Sequence, residues 1–126
     1  MPKVLVVEDV TDIRFLLVET LADAGHQVLE AADGAQGLAC ARQHRPDVIL
    51  LDVMMPVMDG FQMLAEVKAD PDLAGIPVIM VTAKGQEEDV QKALKAGAAA
   101  FVVKPFAHNE VVSQVEKTLT ARQAAG

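Results

Sequence analysis

Four short, nearly unbroken apolar runs do most to limit what this chain can fold into: Val4-Leu5-Val6-Val7, Val48-Ile49-Leu50-Leu51, Val78-Ile79-Met80-Val81 and Phe101-Val102-Val103. Each is too short for a buried helix, is rich in β-branched residues and lacks polar alternation, which suits a strand covered on both faces. A fifth run, Gln27-Val28-Leu29-Glu30-Ala31, is more polar and suits a sheet edge. Between the runs the apolar spacing becomes helical. Ile13, Leu16, Leu17, Leu21 and Ala24 fall on one face and stop at Gly25, and Ala35, Leu38, Ala39 and Arg42 follow before Pro46. Phe61, Leu64 and Val67 form a third stripe. Val90, Ala93 and Leu94, stopped by Gly97, form a fourth, and Val111 or Val112 with Val115 and Leu119 a fifth.

Strand and helix therefore alternate five times with short connections, which predicts right-handed crossovers and a parallel sheet with helices on both faces. The length of 126 residues suits one such domain. The fifth helix is expected to end near Ala121, leaving Arg122 to Gly126 as a tail with no output domain.

Composition narrows the function. Eighteen acids against eleven bases give a formal charge of −7, which disfavours direct binding of nucleic acid or of an anionic membrane surface. Four Phe with no Trp or Tyr leave little from which to build a stacking platform. The single Cys40 excludes an intramolecular disulfide, and no Cys/His cluster has zinc-like spacing. No N-terminal stretch is long enough for a signal sequence or a membrane span, so a cytoplasmic location is expected.

In an open parallel sheet the functional crevice lies beyond the carboxyl ends of the strands. Those ends carry Glu8 and Asp9, then Asp52, then Thr82 and Ala83, then Lys104 and Pro105. Three neighbouring carboxylates repel one another unless a cation shares the site. Mg2+ is the natural occupant, with Mn2+ as its substitute, because a hard ion takes oxygen ligands and keeps positions open for phosphate oxygens. Lys104 adds a mobile ammonium and Thr82 a hydroxyl donor. Together these are the parts that stabilise a transferring phosphoryl group, with the Asp52 carboxylate as nucleophile.

The segments Glu8-Asp9, Leu50-Leu51-Asp52-Val53-Met54-Met55-Pro56-Val57-Met58-Asp59-Gly60, Val81-Thr82-Ala83 and Phe101-Val102-Val103-Lys104-Pro105-Phe106 resemble the receiver domain of bacterial response regulators, in particular its single-domain, chemotaxis-regulator-like members. The resemblance covers essentially residues 1–126, in order. It implies the flavodoxin-like strand order 2-1-3-4-5. It also implies a two-component signalling switch in which Asp52 accepts a phosphoryl group from a phosphohistidine of a sensor histidine kinase or a phosphotransfer protein. Glu8, Asp9, Asp52 and the backbone carbonyl of Met54 are implied as the metal site. Thr82, the Ala83 backbone and Lys104 are implied to grip the phosphoryl group, and Phe101 to be the switch aromatic that turns inward as Thr82 moves. Lys104-Pro105 is implied to be a cis peptide. The face made by the fourth helix, fifth strand and fifth helix is implied to contact a downstream protein, from a monomer or a weak phosphorylation-dependent dimer.

Met54 and Lys84 each lie two residues beyond a pocket member, and the resemblance implies that these positions flank the path of an attacking water. Neither is acidic or an amide, so slow loss of phosphate is expected. His26, His44 and His108 occur singly, and none reads as a phosphocarrier. Several other readings share parts of this pattern. An aspartyl-phosphate phosphatase would place a second acid where Met54 stands, and a flavodoxin would not carry Glu8-Asp9-Val10-Thr11-Asp12 in its phosphate loop. A fragment of a larger regulator, a phosphorelay intermediate, or a module that no longer uses phosphorylation would keep the fold. No multiple-turnover enzyme activity is expected.

Overall fold

The structure is a computed structural model. It describes all residues except Pro56, Lys84–Gln86 and Gly126, and leaves out the side chains of Glu87 and of residues 123–125. Five strands alternate with five helices: β1 (Lys3–Val7), α1 (Thr11–Asp23), β2 (Gln27–Ala31), α2 (Gly34–His44), β3 (Val48–Asp52), α3 (Gly60–Ala69), β4 (Val78–Ala83), α4 (Glu87–Lys95), β5 (Ala100–Lys104) and α5 (His108–Ala125). All strand pairs are parallel, in the order β2-β1-β3-β4-β5. This is the doubly wound, five-stranded α/β fold expected from the sequence.

The unbroken apolar runs are explained by which face each residue feeds. Leu5, Val7, Ile49, Leu51, Val78 and Met80 enter a core shared with α2, α3 and α4. Val4, Val6, Val48, Leu50, Ile79, Val81 and Val102 enter a second core against α1 and α5. Successive side chains point to opposite faces, so a strand covered on both sides must be apolar at every position. The polar run of β2 lies at one edge, and β5 at the other.

The helical stripes need correction. In α1 the buried positions are Leu17, Thr20 and Leu21, whereas Leu16 and Ala24 are exposed. In α2 they are Gly34, Gly37, Leu38 and Ala41, not Ala35, Ala39 or Arg42. The glycines are what bring α2 in: a Cβ on Gly37 would lie 2.9 Å from the Met63 sulfur, and one on Gly34 2.8 Å from Met58. Among the described side chains of α4 only Ala93 is deeply buried, and Leu94 is exposed. The tail expected from Arg122 onward is helical to Ala125, because Arg122 is anchored: its Nη1 donates to the Asp47 carbonyl at 2.7 Å, at the opposite end of the sheet from Asp52.

α3 begins hard against the end of β3. Asp59 and Gln62 form a capping box, and the Gly60 N–H donates to the Val53 carbonyl at 2.9 Å. A Cβ on Gly60 would sit 2.4 Å from the Asp52 carbonyl oxygen and 2.8 Å from the Val53 Cα. Both are backbone atoms that cannot turn away. Gly60→Ala is therefore expected to destabilise the fold by about 3 kcal/mol, as overpacking against fixed atoms does. A urea midpoint equal to that of the parent would contradict this close approach.

Candidate phosphoryl and metal site

Sheet register brings the polar residues together. Val7 pairs with Leu51, so Glu8 stands level with Asp52, and Ala83 pairs with Lys104. Glu8, Asp52 and Thr82 are all at least nine-tenths buried. Glu8, Asp9 and Asp52 each offer a carboxylate oxygen within 4.8 Å of the others. Lys104 reaches in from β5, its Nζ 2.9 Å from Glu8 Oε1 and 3.3 Å from Asp52 Oδ1. The contact with Glu8 is an ion pair without hydrogen-bond alignment; among the described residues Glu8 Oε1 has no aligned donor, and Asp9 Oδ1 and Thr82 Oγ1 are likewise buried without partners. Glu8 Oε2 accepts from the Val10 N–H at 3.3 Å.

Among the described residues, one ammonium thus faces three carboxylates. Burial first, and then Asp52, push the Glu8 carboxyl above its ordinary value, with Lys104 pulling the other way. Burial and then Glu8 raise Asp9. Burial alone would lower Lys104, but Glu8 and Asp52 outweigh it and hold the ammonium charged. The donor set is all oxygen, with two orphaned carboxylate oxygens, which fits a hard divalent ion and does not fit zinc or copper.

The remaining expected residues lie around this centre. Ala83 ends β4, and the Met54 side chain is largely solvent-exposed, pointing no polar group inward. Phe101 faces outward from β5 and is 37% exposed, lining a groove with Leu94, Glu110 and Gln114 between α4 and α5. It does not touch the pocket. The Lys104–Pro105 peptide is cis. Lys84 and Pro56 lie outside the described residues. His26 is buried, with Nε2 3.1 Å from Glu116, and packs as a core histidine.

The sequence of the response regulator receiver domain family matches residues 4–116. The chain belongs to that family. Among curated proteins, this receiver domain is 37% identical over 119 residues to the protein PilH of Pseudomonas aeruginosa, covering 94% of this chain and 98% of PilH. It is 39% identical to the DNA-binding dual master transcriptional regulator RpaA of Synechocystis, covering 94% of this chain but 49% of RpaA. Several other regulators are likewise matched over about half their length. The chemotaxis protein CheY4 of Vibrio cholerae superposes with a TM-score of 0.88 at 38% identity, covering 94% of this chain and 98% of that one. Receiver domains are signalling modules of two-component systems and act through phosphorylation. Among the described residues, no helix is long and apolar enough to cross a membrane.

Arg14 escaped the sequence reading. It lies on α1, its Nη1 donates to the Glu8 carbonyl at 2.7 Å, and its Nε donates to Glu30 at 3.1 Å. The available signal was position: a basic residue one turn after Val10 can reach back to the strand end.

The raised carboxyl pKa fixes a sign. A carboxyl raised on folding stabilises the fold below its ordinary value, 4.5 for Glu8, and loses that contribution as pH rises through the folded value. Without divalent ions the acid cluster therefore costs stability at neutral pH. Glu8→Gln is expected to raise the Tm there, with the gain vanishing toward pH 4. Thermal melts in chelator across that range check this, and a lower Tm for the variant at neutral pH would contradict it.

Proposed function

We propose that the chain is a phosphorylation switch in which Asp52 is the phosphoacceptor. The observation that carries this reading is the joint placement of Asp52 with Glu8, Asp9, Lys104 and Thr82 at one end of the sheet. Asp52 is buried and flanked by an ammonium, as a nucleophile for a dianionic group requires. In the transfer, an Asp52 carboxylate oxygen forms a bond to phosphorus. The bond from phosphorus to the donor imidazole nitrogen breaks, and the ring leaves with the electron pair. Lys104 pairs with a phosphoryl oxygen, and the Thr82 hydroxyl, free of other partners, donates to another. The Ala83 backbone lies beside them. Mg2+ held by Glu8, Asp9, Asp52 and the Met54 carbonyl would neutralise charge on the phosphoryl oxygens.

The donor on this reading is a sensor histidine kinase or a phosphotransfer protein in the cytoplasm, and the chain does not bind nucleic acid itself. It works as one receiver unit over residues 1–126, monomeric or weakly dimeric when phosphorylated. It is not a multiple-turnover phosphatase: Met54 stands where such an enzyme carries its second acid. The readout is the face of α4, β5 and α5, where Phe101 stands exposed beside Leu94. As Thr82 moves toward the phosphoryl group, Phe101 turns inward and that groove changes shape.

Incubation with acetyl phosphate and Mg2+ should add one phosphoryl mass to the parent and none to Asp52→Asn, as read by intact mass spectrometry. The adduct should persist for minutes, because Met54 offers no group to orient water. An adduct on Asp52→Asn, or none on the parent, would overturn the assignment. Phe101→Ala should accept the phosphoryl group as the parent does while losing phosphorylation-dependent partner capture. Equal discrimination in a pull-down with and without beryllofluoride would count against the switch.

A further inference from the structure

The acid pair is held from behind by a cation that does not enter the pocket. Arg14 is 17% exposed at its side chain and makes two directed contacts, Nη1 to the Glu8 carbonyl at 2.7 Å and Nε to Glu30 Oε1 at 3.1 Å. Its own backbone N–H donates to the Val10 carbonyl at 2.9 Å, so the first turn of α1 fixes where the guanidinium starts. The carbonyl contact is short and charge-assisted, which makes it the strong one. The contact with Glu30, 57% exposed on edge strand β2, adds little energy of its own but sets the direction of the guanidinium plane.

The Glu8 carbonyl is a lever. The peptide that follows it is planar, so pinning that oxygen fixes the plane in which the Asp9 nitrogen and Cα lie. Glu8 is restrained at its other groups too: its N–H donates to the Ala31 carbonyl at 3.1 Å and its Oε2 accepts from Val10. With the carbonyl also held, the backbone positions from which the Glu8 and Asp9 side chains depart are fixed relative to each other.

We propose that Arg14, propped by Glu30, is a positioning residue that aims the Glu8 and Asp9 carboxylates at a shared divalent cation. This rests on the reading of the acid cluster as a cation site. Guanidinium geometry suits the task, because a lysine ammonium in its place keeps the charge but does not present two donors in a fixed plane.

Charge and positioning have opposite signs here, and that separates them. A cation behind the site repels an incoming cation, so removing Arg14 as a mere charge would tighten metal binding. Removing a positioning contact loosens it. Mn2+ is the probe, its binding to the full chain measured by electron paramagnetic resonance and its folding checked by circular dichroism in chelator. Arg14→Met is expected to weaken Mn2+ binding roughly tenfold, the lower end of the losses seen when residues supporting metal ligands are removed, and Glu30→Ala, which acts only through Arg14, by less than that. Arg14→Lys should fall between the parent and Arg14→Met. Should Arg14→Met fail to fold, Arg14→Lys, which keeps the charge and loses the fixed pair of donors, decides the matter by weaker binding than the parent. Unchanged or tighter binding in the folded variants overturns the positioning role while leaving the cation site intact. A parent that does not bind Mn2+ overturns the cation site and the positioning role with it.

Discussion

The ammonium of Lys104, set between Glu8 and Asp52, is the contact on which the site depends. Among the described residues it is one positive charge beside three carboxylates at the end of an open sheet. Burial strengthens every interaction there, attractive and repulsive alike. Counted over the described residues the pocket is therefore under-neutralised, and the protein holds it together with energy drawn from the two apolar cores beneath. Such a site has a standing demand for positive charge. Once that demand is met, the orphaned Glu8 and Asp9 oxygens and the unpartnered Thr82 hydroxyl gain work to do.

The scaffold is correspondingly stiff where the acids attach. Gly60 lets the start of α3 touch the backbone of Asp52, and the Asp59–Gln62 capping box holds that start in place. Arg14 ties the turn after β1 to β2. The readout side is held more lightly. Ala93 is the one deeply buried hydrophobic residue of α4, and Phe101 stands partly in solvent. The Lys92 ammonium lies 4.3 Å over the Phe61 ring, a cation–π contact that links α4 to α3 near the pocket. On the proposed reading, a change at Asp52 would meet this stiff floor and pass toward the less buried face of α4, β5 and α5.

The sheet was legible in the sequence because strands buried on both faces must be apolar throughout, and the pocket because parallel strands present their next residues at one edge. Asp52, Glu8 and Lys104 could be placed by that logic alone. The helix faces were less legible. Gly34 and Gly37 carry no side chain to register in an apolar stripe, yet they form the buried face of α2 because they allow Met58 and Met63 to approach. Leu16 and Leu94 fit their stripes but lie outside the cores, at exposed faces. The end of α5 was misplaced because its anchor, Arg122 on Asp47, is a contact across 75 residues. Arg14 was missed for a related reason: it acts through a backbone carbonyl, which no side-chain pattern records.

The central claim, that the Glu8 and Asp9 carboxyls are raised by burial and mutual repulsion and that their site takes a divalent cation, is tested most directly by proton release. Calorimetric titration of Mg2+ into the chain at about pH 6, in buffers of different ionisation enthalpy, counts protons displaced per ion bound. The account predicts release that grows as the pH is lowered toward the raised values and that Glu8→Gln reduces. Mg2+ binding with no proton release at any pH would contradict it.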